Sequence, residues 1–98
     1  MLSKLDQLKS ANKALTTAKE RFGNDKSQQQ NVYFCRYNLG INFRKLGELE
    51  SSIIELKEAI TLYSDKASVY NNLGLTYFEK NEMDNAAGEF SKAIKAEG

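Results

Sequence analysis

Two asparagines set in matching words are the residues of this chain whose type and spacing point to chemistry. Asn38 precedes Leu39-Gly40, and Asn72 precedes Leu73-Gly74, 34 residues further on. A carboxamide both donates and accepts, so a pair of them on one surface can satisfy the N–H and C=O groups of an extended peptide whatever its side chains. The same group also serves to tie neighbouring helices together, and the sequence leaves both roles open. Material for catalysis is poorer. There is no histidine, hence no triad of the usual kind and no imidazole ligand for a metal. The single cysteine, Cys35, has no base beside it and stands one turn before Leu39, where a small thiol packs well. Glu48, Glu50 and Glu55 fall at the spacings of a solvated face, with Lys45 and Lys57 as partners. No phosphate-binding or dinucleotide-binding glycine motif is present. The expectation is a binding protein with no catalytic residue, no metal and no cofactor.

Helices must position those residues. Proline is absent, and apolar residues recur at intervals of three and four, which predicts five helices, over 2–22, 28–46, 49–63, 67–80 and 83–96. Breaks are expected at Gly23-Asn24-Asp25 and Gly47, where a left-handed residue would end a helix, at Ser64-Asp65, and at Asn81, which stands 34 residues after Gly47. A hydrophobic content of 41%, a charged content of 28% and a net charge of +1 give no electrostatic excess, which argues against nucleic acid as a partner. No apolar run is long enough to insert into a membrane. The basic N-terminal segment carries Asp6 and Glu20 and continues the helical pattern, which argues against a targeting peptide. One cysteine allows no internal disulfide, so a reducing, intracellular setting, the cytoplasm, is expected.

The repetition extends beyond Asn-Leu-Gly. At a 34-residue offset Leu39 matches Leu73, Gly40 matches Gly74, Phe43 matches Tyr77, Leu49 matches Met83, Ser52 matches Ala86, Leu56 matches Phe90 and Ala59 matches Ala93. Glycine inside a helix costs about 1 kcal/mol relative to alanine, so its recurrence implies a crossing too close for a side chain. This pattern resembles the tetratricopeptide repeat. Residues 67–98 carry it through Tyr70, Leu73, Gly74, Tyr77, Ala86, Phe90 and Ala93. Residues 33–66 depart from it in having Arg36 at an aromatic place and Ser52 at an alanine place. Leu8, Ala11, Leu15, Ala18 and Phe22 match Leu49, Ser52, Leu56, Ala59 and Tyr63 at an offset of 41, with seven extra residues that two additional helical turns would accommodate. Asn12 and Lys19 then fall where Ile53 and Ile60 stand.

The resemblance implies an all-α helix-turn-helix solenoid. Residues 1–26 would hold the last helix of a preceding partial repeat and a linker, residues 33–66 repeat one, and residues 67–98 repeat two. It further implies a non-catalytic protein-interaction module with a concave groove lined by the first helix of each repeat. The groove would comprise Phe34, Tyr37, Asn38, Ile41, Arg44 and Lys45 from repeat one and Ser68, Asn71, Asn72, Leu75, Phe78 and Glu79 from repeat two. Its ligand would be a partner peptide or helix, held by the asparagines and by the apolar contacts around them. Ala87 and Ile94 on the last helix would face a neighbour that these residues do not supply. Either the chain is a piece of a longer protein, or those edges pair with another copy or with further repeats.

Overall fold

The computed structural model describes residues 3–97. Helix α1 spans Lys4–Phe22, a 3-10 turn at Lys26–Gln28 leads into α2 (Gln29–Lys45), and α3 (Leu49–Leu62), α4 (Ala67–Glu79) and α5 (Met83–Glu97) follow. No strand occurs among the described residues. Each helix packs on its neighbours in sequence, and α2 also touches α4. The body measures 36 × 34 × 19 Å, and its short dimension is that of two helix diameters.

Local chemistry sets the boundaries. The Ser3 hydroxyl accepts from the Asp6 N–H at 3.1 Å and caps α1. Gly47 at φ +80 and Asn81 at φ +66 are left-handed. Glu48 N–H donates to Phe43 C=O and Gly47 N–H to Arg44 C=O, and Glu82 to Tyr77 and Asn81 to Phe78 repeat that pair of bonds 34 residues later. These are Schellman caps, and they satisfy carbonyls that the helix end would leave unpaired.

Gly23 behaves otherwise than expected. It is right-handed at φ −59, and the turn belongs to Asp25, whose carboxylate accepts from the Ser27 N–H at 2.9 Å and the Ser27 hydroxyl at 2.6 Å. That local bonding starts the 3-10 turn in place of a continued helix. Helix α2 begins four residues earlier in its repeat than α4 does. The extra residues therefore form a turn and a single additional helical turn, where two helical turns were expected.

The core runs through the middle of the molecule, with Tyr33 of α2, Ile53, Leu56 and Ala59 of α3, Val69, Leu73 and Tyr77 of α4 and Ala86 of α5. Both glycines mark close crossings. A Cβ at Gly40 would lie 2.5 Å from Cγ and Cδ2 of Leu56, and one at Gly74 would lie 2.7 Å from the Phe90 ring. The serine at the alanine place has a use of its own. Ser52 is wholly buried, and its hydroxyl donates to the Gly40 carbonyl at 2.7 Å and lies 3.2 Å from the Thr76 hydroxyl, joining α2, α3 and α4.

Glu55 corrects the reading of the acidic residues as a solvated face. It is 7% exposed and receives Lys19 Nζ of α1 at 3.0 Å and Arg36 Nη1 of α2 at 3.2 Å. Two residues that broke the apolar pattern thus converge on one carboxylate, which compensates for the burial of Glu55. Glu50 and Glu82 pair with Lys80, and those hydrogen bonds, Glu50 first, hold its ammonium well above the usual lysine range. Asn12 is buried in α1, and neither its Oδ1 nor its Nδ2 has a partner.

Candidate functional site

The expected groove residues separate into three neighbourhoods. At the N-terminal end of α2, Phe34 is half-exposed and helps line a recess of about 370 Å³ with Gln30, Tyr33, Tyr63 and Lys66. Tyr33 is its floor. The Phe34 ring meets Tyr33 edge-on at 5.4 Å, the Tyr63 ring meets it at 5.1 Å and 89°, and Tyr37 stacks on it at 6.1 Å. Such edge-to-face pairs fix ring orientation beyond what area burial does. Burial pushes the Tyr33 phenol up, and the Ser68 hydroxyl opposes that by hydrogen bonding. Lys66 lies over the Tyr63 ring at 5.8 Å and is the charged residue of the lining.

Along the middle, the two asparagines differ. Asn38 is exposed, and its carboxamide makes no hydrogen bond among the described residues. Asn72 donates from Nδ2 to the Tyr37 hydroxyl at 3.1 Å and to the Ser68 carbonyl at 2.9 Å. Its amide hydrogens are thereby engaged between α4 and α2, while Asn38 keeps its full bonding capacity. Ile41 and Leu75 are half-buried. Further along, Arg44 pairs with Glu79 across α2 and α4 at 3.1 Å, and Phe78 stands 55% exposed beside Glu79.

Lys45 and Asn71 each line a further recess. Lys45 lines a recess with Lys4, Leu5 and Leu8 of α1. Asn71 lines another, of about 470 Å³, with Ala67, Ser68, Phe90, Ala93, Ile94 and Glu97 at the outer edge of α4 and α5. Ala87 of α5 is exposed as well, and Ile94 is 70% exposed.

Tyr33, Tyr63, Lys66 and Gln30 escaped the sequence reading. The Tyr33–Tyr37 spacing of four was a signal for a shared ring face. Tyr63 and Lys66 come from the loop side of α3, which only tertiary packing brings to α2. Cys35 is half-buried, and burial pushes its thiol up while Lys19 pulls the other way. A raised thiol is a poorer nucleophile at neutral pH.

Comparison with known families decides the class. A model described as TPR repeat matches residues 40–81, and one described as tetratricopeptide repeat matches residues 67–98. The chain belongs to the tetratricopeptide repeat family. Together the two matches run from the close-crossing glycine of α2 through α5. Tetratricopeptide repeats generally mediate protein–protein interaction. A search of the curated proteins returned no match. Among the described residues no helix is long and apolar enough to cross a membrane.

Proposed function

We propose that this tetratricopeptide repeat protein is a non-catalytic interaction module that holds a partner peptide or helix on the face shared by α2 and α4, in a reducing, cytoplasmic setting. The observation that carries the reading is the exposure of two large rings, Phe34 at 49% and Phe78 at 55%, near opposite ends of that face. Exposed aromatic rings are the usual anchors of a protein interface. Between them Asn38 offers an unengaged carboxamide to a peptide backbone, and the Tyr33-floored recess offers a place for an apolar side chain. Asn72 acts here mainly as a strut that orients Tyr37.

Affinity capture from a cell extract tests this, with the native chain compared with an Asn38→Ala, Phe78→Ala double variant of unchanged helicity. Loss of partners in the variant is the expected result. Full retention removes the face from consideration.

A second reading has one specific observation behind it, the 70% exposure of Ile94. An apolar edge of this kind suits assembly with another copy through α5. If the chain self-associates, Ile94→Glu yields a monomer by light scattering, and an unchanged mass clears that edge.

A further inference from the structure

Tyr33, Phe34 and Tyr63 form an aromatic corner that the repeat does not call for. At the 34-residue offset Ala67, Ser68 and Glu97 stand in their places, and α4 packs on α5 without the rings. Phe34 leaves 49% of its surface exposed, so little of its ring serves the core. The recess that these rings line with Gln30 and Lys66 is also a feature of the middle of the chain. Its walls come from α2, from Tyr63 at the end of α3 and from Lys66 at the start of α4, and neither α1 nor α5 contributes.

Size, shape and charge define an occupant. The volume of about 370 Å³ lies at the lower end of the ~300–1,000 Å³ typical of ligand pockets, which suits one large side chain better than the face of a helix. Phe34 and Tyr63 meet the Tyr33 ring at 62° and 89°, so a planar ring entering the recess finds both edge-to-face and stacked partners. Lys66 is the charged residue of the lining and has no ion pair among the described residues. Its ammonium lies 5.8 Å from the Tyr63 ring centre and so holds the cation place of that ring, which turns the recess away from cations and toward an anion. The first turn of α4 has no side-chain cap, and its positive end stands open beside Lys66. Asp65, whose charge reaches the Tyr33 phenol, does not line the recess.

We infer that this recess selects, within the peptide held on the α2–α4 face, an aromatic side chain followed directly by aspartate or glutamate. The ring fills the space against Tyr33, Phe34 and Tyr63, and the adjoining carboxylate meets Lys66 and the start of α4. The Gln30 carboxamide makes no hydrogen bond among the described residues and is left for the peptide backbone. This selectivity rests on the peptide reading of the face and adds to it the chemistry of the anchor.

The chain has no tryptophan, so the emission of a tryptophan peptide reports its own burial. Short blocked peptides of serine and glycine with Trp-Glu, Trp-Lys or Ala-Glu at the centre are titrated with the full chain, and amide shifts of the chain locate the contact. The Trp-Glu peptide is expected to shift its emission to the blue and to move Tyr33, Phe34, Tyr63 and Lys66. Lys66 is exposed at a helix start that accepts an acid, so Lys66→Glu leaves the fold intact. That variant is expected to bind the Trp-Glu peptide about fivefold more weakly and to prefer the Trp-Lys peptide. Phe34→Ala is expected to weaken both tryptophan peptides. Equal affinity of the native chain for the Trp-Glu and Trp-Lys peptides overturns the inference, as does binding of Ala-Glu as tight as that of Trp-Glu, or no binding of any of the three. Shifts confined to Asn38 and Phe78 overturn it too but leave the α2–α4 face standing. Capture with the Asn38→Ala, Phe78→Ala variant decides that face separately, since neither residue lines the recess.

Discussion

Gly40 and Gly88 are both helical glycines with opposite expectations. The Gly40 site is closed by the fully buried Leu56, whereas nothing lies within 4 Å of a Cβ at Gly88. Gly40→Ala should lower stability by about 2 kcal/mol, overpacking outweighing the gain in helix propensity, which is roughly 10 °C in Tm for a chain of this size. Gly88→Ala should raise stability by about 1 kcal/mol. Thermal melts of the two variants check the pair, and a stable Gly40→Ala would refute the crossing. Asn12 is the residue most open to improvement. Its buried carboxamide has no partner, an omission worth about 1–3 kcal/mol, and its counterpart Ile53 is a buried apolar residue. Asn12→Ile should therefore raise the Tm, and a fall would mean that the amide serves a contact of its own. For Cys35, the raised thiol predicts slower iodoacetamide labelling in the folded chain than in the unfolded chain at pH 8, the folded rate continuing to climb above pH 9 as the thiolate forms.

Helix packing turns on a few contacts that link elements. Glu55 ties α1 and α2 to α3 through Lys19 and Arg36. Glu55→Gln should cost about 1–2 kcal/mol, less than the loss for a fully buried pair because the two cations keep 20% and 22% side-chain exposure. A double-mutant cycle with Lys19→Met should show positive coupling, and simple additivity would show that Lys19 contributes nothing through Glu55. Helix positions were legible in advance because period, Gly47 and Asn81 are local signals. The Glu55 cluster was not, since its members lie 19 and 36 residues apart and each alone reads as a surface charge. Gly23 misled for a related reason. A glycine permits a left-handed turn but does not require one, and the Asp25–Ser27 bonds settled the geometry.

Across the whole molecule, burial is greatest in the middle. Helix α4 has five buried residues, Val69, Leu73, Gly74, Thr76 and Tyr77, whereas α1 has Asn12 alone. Local opening should follow that gradient. Amide hydrogen exchange is expected to be fastest in α1, slower in α5 and slowest in α3 and α4. Uniform protection would show that α1 is bound into the cooperative unit more firmly than its contacts indicate.

The number of helices, their order, the 34-residue repeat and the close crossings at Gly40 and Gly74 were determined by the sequence itself, because each depends on spacings within a few turns. The Asn-Leu-Gly word also marked where α2 and α4 would matter. Tertiary structure alone decided which carboxamide stays free, since the Tyr37 hydroxyl accepts from Asn72 and no side chain hydrogen-bonds to Asn38 among the described residues. It likewise set Lys45 beside Leu5 and Leu8 of α1 and Asn71 beside Ile94 of α5, and brought Tyr63 and Lys66 to Phe34. The reason is physical: periodicity gives the face of a helix to within a residue or so, whereas the neighbour met by each side chain depends on how the helices are laid against one another.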